Sequence, residues 1–179
     1  MATWFTADTH FGHENIIRYC GRPYRSAADM DWNLIRRWNE RVAEKDVVYH
    51  LGDFALWSIK GSASYLPRLR GRKILVVGNH DRKPDVMRAI GFEEVFENAI
   101  VDVAGVRCWI NYPPRDDFPK VRVRPAAPGP YDLALCGHIH EKWLLCDAVV
   151  NVGVDQWGFA LIALEAILRA AAIQNEGTS

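Results

Sequence analysis

Lys73-Ile74-Leu75-Val76-Val77-Gly78-Asn79-His80-Asp81 decides the reading of this chain. Its first five residues, Lys73 and then four apolar, mostly β-branched ones, have the length and kind that makes a strand. The run stops at Gly78, and an amide, an imidazole and a carboxylate follow without a spacer. Strand stability needs none of these groups, whereas ligands in open α/β sheets bind beyond the carboxyl ends of strands. The same arrangement recurs along the chain. Thr3 to Ala7 runs into Asp8-Thr9-His10, Val47 to Leu51 into Gly52-Asp53, Val106 to Ile110 into Asn111, and Leu133 to Cys136 into Gly137-His138-Ile139-His140. Four of the six histidines sit at such ends.

Working outward, Ala99 to Val103 and Val149 to Val154 read as further strands, with Ala104-Gly105 as a hairpin turn. Helical pattern lies between. Ser26 is an N-cap for a helix through about Glu44, with Met30, Leu34, Trp38 and Val42 on one face. Shorter helices are expected near Ser62 to Leu69, Pro84 to Ile90 and Ala163 to Ala172. Strand and helix alternate early and strands cluster later, which predicts an α/β fold with a mixed, two-sheet sandwich flanked by helices. At 179 residues the expectation is one domain over 1–179.

Composition narrows the class. Apolar residues make up 49% and charged residues 25%, as in globular proteins, which excludes a disordered or collagen-like chain. Twenty-two basic residues balance twenty-two acidic ones, so any affinity for phosphate must come from a local site rather than a global field. A basic cluster at Arg68, Arg70, Arg72 and Lys73 leaves nucleic acid as a partner that is possible but not favoured. The apolar stretch from Phe159 to Ile173 carries Glu165 and Arg169 and is too short to span a bilayer. No secretory leader is expected, and Cys20, Cys108, Cys136 and Cys146 lack CxxC spacing, so reduced thiols and a cytoplasmic protein are expected. The segment Tyr112 to Pro130 holds six of the nine prolines and reads as a long loop. The tryptophans, including Trp32, Trp38 and Trp57, are expected in the core, as is His50 within its strand.

Carboxylates, imidazoles and amides without thiolate suit a borderline divalent ion: manganese, iron, zinc or nickel. Asp8, His10, Asp53, Asn79, Asn111, His138 and His140 are too many for one tetrahedral ion and about right for two sharing a carboxylate. Two such ions clamp the attacking and leaving oxygens of an in-line displacement at phosphorus.

These motifs resemble those of the calcineurin-like, two-metal phosphoesterases: D-x-H, G-D, G-N-H-D, a lone histidine, then G-H-x-H, in this order. Asp8 to His13 and His50 to Phe54 are similar to a small bacterial subgroup of that family, and matching blocks run from residue 3 to about 155. The resemblance implies that Asp8, His10 and His140 hold one metal, Asn79 and His138 the other, and that Asp53 bridges both. It implies a metal-bridging hydroxide as nucleophile and His80 as the group that contacts phosphate and protonates the leaving oxygen. The substrate implied is a phosphodiester or phosphomonoester, with diesters favoured because the chain leaves little room for a capping domain. Two positions depart from the family. Asn111 stands where the lone histidine is expected, so the second metal should bind less tightly. Leu56 stands where many relatives carry an aspartate that orients the catalytic histidine. His13, Arg22 and Arg82 are the candidates for substrate contact. The alternative function is a binding or scaffold module of the same fold with a weakened second metal site.

Overall fold

The computed structural model describes residues 1–56, 59–112, 127–146 and 148–176. Ten strands and five helices follow one another as β1 (Thr3–Thr6), α1 (Glu14–Tyr19), α2 (Ala27–Arg41), β2 (Val47–Leu51), α3 (Ile59–Tyr65), β3 (Arg72–Val76), α4 (Pro84–Ala89), β4 (Glu94–Phe96), β5 (Asn98–Val103), β6 (Val106–Asn111), β7 (Leu133–Cys136), β8 (Leu145–Cys146), β9 (Val149–Asn151), β10 (Ile162–Ala163) and α5 (Leu164–Glu176) among the described residues. They form two five-stranded sheets, ordered β10-β1-β2-β3-β4 and β5-β6-β7-β9-β8. In the first, β1 to β4 are parallel and β10 closes one edge antiparallel to β1. In the second, β6, β7 and β9 are parallel, with antiparallel β5 and β8 at the edges. Both are mixed sheets, as expected.

Side chains alternate along each strand and so serve two cores. Trp4, Val48 and Leu75 face the layer built with Met30, Leu34 and Trp38 of α2. Phe5, Leu51 and Val76 point the other way, meeting Cys108, Ile110, Leu135 and Val150 between the sheets. The expected apolar face of α2 is real: Met30, Leu34, Trp38 and Val42 are all at most 3% exposed. Ser26 caps this helix, its Oγ accepting the Asp29 N–H at 3.2 Å. The chain leaves α2 at Val42 in extended conformation, short of the expected Glu44.

Other differences have local causes. Helix α1 and strands β4, β8 and β10 are six residues or fewer, too short for a period to show. The strand expected through Val154 ends at Asn151, and Val154–Gln156 is a 3-10 turn. Ala104 and Gly105 turn the β5–β6 hairpin with φ of 52° and 82°, the paired left-handed conformation such hairpins favour. Trp32, expected in the core, is 58% exposed, with the Arg36 guanidinium 5.4 Å from its ring centre. Trp57 and most of the Tyr112–Pro130 loop lie outside the described residues. All four cysteines are free. Among the described residues, no helix is long and apolar enough to cross a membrane.

Candidate metal centre

Parallel pairing in register (Thr6 with His50, Leu51 with Val76) ends β1, β2 and β3 at one edge. There the backbone turns sharply. Asp8, His10, Asp53, His138 and His140 all adopt φ between 49° and 79°. Such left-handed residues cost about 1–3 kcal/mol each and persist only where the surroundings over-determine them. The surroundings here are backbone hydrogen bonds, Asp8 N–H to Gly52 O and His10 N–H to Asp53 O, each 3.0 Å. The two sheets join at the same edge, where Ala7 bridges Gly153 and the Val154 N–H donates to Ala7 O at 3.0 Å. Gly78 is demanded by closeness: a Cβ there would lie 2.3 Å from Asp53 Oδ1.

Asp8, His10 and His140 each offer one donor atom, and the three lie within 4.8 Å of one another. Asp53 Oδ2 is 3.5 Å from His10 Nε2. His10 is buried, and neither of its ring nitrogens has a hydrogen-bond partner. An orphaned, buried imidazole facing two carboxylates is what a cation site looks like before its ion is counted. These residues therefore fit the metal that the motifs imply. The site is braced from behind. His140 Nδ1 lies 3.2 Å from Asp155 Oδ2, leaving Nε2 as its other donor. Asp155 is gripped by the Arg22 guanidinium through two 2.8 Å bonds. Asn151 donates to His140 O at 2.8 Å and accepts from the Gly153 N–H, fixing the loop that carries His140.

The electrostatics ask for positive charge. Burial pushes the Asp8 carboxyl up to about 8; the His140 charge opposes this, while Asp53 and Asp155 add to it. Burial alone would lower His140, but its bonds to Asp155 and Cys20 and the Asp8 charge push it up to about 11. Burial and the neighbouring cationic groups hold His10 well below the usual imidazole range. A divalent ion among these carboxylates answers the same deficit that His140 otherwise meets.

The second expected set is built differently. Asn111 ends β6 at 2% exposure, and Asn79 and His138 follow β3 and β7. Between them stands Tyr112, whose hydroxyl donates to Asn79 Oδ1 and lies near His138 Nδ1, each at 3.1 Å, close to the Asp53 carboxylate. Its ring lies flat over Gly52, where any Cβ would sit 2.1 Å from Tyr112 Cδ2 and where φ is +89°. Asp53 Oδ1 accepts the His80 N–H at 2.8 Å. Asp81 accepts three backbone N–H groups, from Asp53, Phe54 and Gly78, at 2.8, 3.0 and 2.8 Å, and so ties the two loops together.

His80 lies beside His10, ring centres 5.4 Å apart, with its side chain 31% exposed. His13 packs edge-on against both rings. Arg82 is exposed on the following loop. Arg22, expected as a substrate contact, is put to another use. It is 4% exposed, and besides Asp155 it donates to Asp8 O and Thr9 O at 2.7 and 3.1 Å. Its donors are consumed in holding the first ligand loop. The basic cluster is likewise engaged: Arg72 pairs with Glu93 at 2.5 Å, Arg70 bonds Asn39, and Lys73 donates to Leu69 O and Gly71 O. Sequence reasoning missed Asp155, Asn151 and Tyr112, and it quoted Asp81 in its motif without the bracing role seen here. Asn151 ends the short strand β9 and Asp155 lies just beyond it, close to where the ligands sit on their strands, and that placement is the signal that could have found them.

Residues 1–155 match the calcineurin-like phosphoesterase superfamily domain, and the chain belongs to that family. An uncharacterised protein of Methanocaldococcus jannaschii is 40% identical over 91 residues, 50% of this chain and 52% of that protein. This chain thus matches only about half the length of that relative. The Gene 66 protein of Mycobacterium phage L5 is 27% identical, with 87% of each chain covered. Among solved structures, a protein of unknown function from Aquifex aeolicus superposes with a TM-score of 0.74 at 26% identity, over 94% of this chain and 98% of the other. An archaeal phosphodiesterase shares the fold, with a TM-score of 0.52 at 20% identity, over 86% of this chain and 82% of that one.

Proposed function

We propose that this chain is a metal-dependent phosphoesterase that hydrolyses phosphodiesters by in-line displacement at phosphorus. One observation carries the reading: buried His10, with both ring nitrogens unpaired, faces Asp8, Asp53 and His140 at the end of the parallel strands. Asp8, His10, His140 and the near oxygen of Asp53 would hold the cation, for which manganese, iron, zinc and nickel all suit the donors. When bound, that ion supplies Lewis acidity, drawing charge off the phosphate and lowering the pKa of a water molecule.

The remaining work falls to side chains. His80 is the half-exposed member of the group, so an entering phosphate meets it before the buried ligands. Burial and His140 lower the pKa of His80, while Asp81 raises it. The negative charge of a bound phosphate acts in the same direction as Asp81. Substrate binding therefore helps place the proton that the leaving oxygen needs. His13, edge-on to His80 at 6.4 Å between ring centres, supports the ring and offers a second imidazole at the mouth. Among the described residues nothing covers His80 and Asn79 as a cap would, which suits diesters with bulky leaving groups. The proposal takes residues 1–179 as one domain, and a cytoplasmic setting accords with four free cysteines.

The test is hydrolysis of bis(nitrophenyl) phosphate with metal analysis of the same samples. Asp53→Ala should abolish turnover and lower bound metal. A variant that kept both would remove Asp53 from the centre.

A further inference from the structure

We infer that the centre holds a single cation, because the Tyr112 hydroxyl occupies the position a second would take. The inference rests on the metal-dependent reading above and concerns only its second half. The groups available for a second ion are Asp53, Asn79, Asn111 and His138. The Tyr112 oxygen hydrogen-bonds two of these, donating to Asn79 Oδ1 at 3.1 Å and lying 3.1 Å from His138 Nδ1, and the Asp53 carboxylate stands close beside it. Those are hydrogen-bond distances around an oxygen; ligands close on a borderline divalent ion to about 2.0–2.2 Å. Oxygen and cation cannot share the point.

The placement is built in. The ring needs the bare α-carbon of Gly52 beneath it, since a Cβ would come within 2.1 Å of Cδ2. Tyr112 O accepts the Gly137 N–H at 3.1 Å, which anchors the residue to the loop carrying His138. Tyr112 is 4% exposed. Its ring also packs on His138, centres 5.1 Å apart. The hydroxyl can donate one hydrogen bond and accept others, so it satisfies an amide oxygen and an imidazole nitrogen together. The residue before it is Asn111, a neutral amide and a weaker donor than imidazole, so the side chain that fills the space directly follows the weakest member of the second set.

Manganese alone is the probe, read by stoichiometry and by electron paramagnetic resonance, which separates an isolated Mn(II) from an exchange-coupled pair. The unmodified chain should bind one manganese with an uncoupled spectrum, even at millimolar metal. Tyr112→Phe keeps the ring in place and should still bind one. Tyr112→Ala opens the space and should bind two with a coupled spectrum. Adding Asn111→His to Tyr112→Ala should tighten the second ion tenfold or more. Circular dichroism and thermal melting report whether each variant folds. If Tyr112→Ala unfolds, the unmodified and Tyr112→Phe proteins decide the matter. Two coupled ions in the unmodified chain would overturn the inference and leave the phosphoesterase reading standing. Loss of the single ion in Tyr112→Phe would also overturn it, by making the phenol a ligand. No manganese in any folded variant would overturn the metal reading itself.

Discussion

His10 and His80 stand 5.4 Å apart, ring to ring, yet burial gives them different chemistry. The His10 side chain is 2% exposed and cannot carry its own charge, which suits a neutral ligand; that of His80 is 31% exposed and can exchange protons with solvent. His80→Ala should therefore keep its metal and lose about 10²–10⁴-fold in rate on alkyl phosphodiesters, and less on nitrophenyl esters, whose leaving groups need little protonation. Metal analysis alongside rates on both ester classes checks this. Equal losses on both would turn His80 into a phosphate-positioning group. Asp53, Asn79 and His138 stood out in the sequence because each directly follows a glycine at the end of an apolar run. Asp155 did not, and Arg22 stood out only as a candidate substrate contact, because no local pattern announces that the two pair across 133 positions. Tyr112 was hidden for another reason: it reads as the first residue of the long loop, and only the missing Cβ of Gly52 leaves room for its ring beside the ligands.

At the scale of elements, α2 was the most legible part of the chain. A fifteen-residue helix with buried positions four apart leaves its period in the sequence, and Ser26 marks its start. That cap is testable. The Asp29 N–H loses its acceptor in Ser26→Ala, while the Ala27 N–H keeps Glu14 Oε2. The variant should lose about 1 kcal/mol, or about 2–4 °C of melting temperature, with metal content unchanged. A melt identical to the unmodified protein would mean that water replaces the cap at no cost. The strands that escaped notice are the two- and three-residue β4, β8 and β10. They exist by pairing with longer neighbours rather than through their own composition, so tertiary context decides them.

The whole molecule depends on pH through a residue outside the metal cluster. His50 is fully buried in β2, facing Trp38 of α2, with its Nε2 2.8 Å from the Thr9 hydroxyl. That hydroxyl spends its one hydrogen on Phe54 O, so His50 donates through Nε2–H and is held neutral. Burial pushes its pKa down to about 3. The unfolded chain takes up a proton near pH 6.5 that the folded chain refuses. Stability therefore falls as pH drops from about 6.5 to about 3, by about 1.4 kcal/mol per unit from this residue. Denaturant midpoints across that range, measured in chelator so that metal binding does not contribute, should show the slope. His50→Gln should lessen the slope by that increment, with His10 and His138, also held below the usual imidazole range, keeping a residual one; an unchanged slope would place the titration elsewhere.

The seam where Ala7 meets Gly153 has a consequence in time. Strands from the middle and late parts of the chain complete an edge that the first strand begins. A nascent chain that has emerged only through β6 carries Asp8, His10 and Asp53 but neither His138 nor His140. It can begin the first sheet and its α2 layer, yet it presents carboxylates with no imidazole from the far loop to complete the set. Domains generally fold as units during synthesis. On the proposed reading, the full ligand set forms only after β7, β9 and the Asp155 brace have been made, and a nascent chain ending at β6 would lack His140.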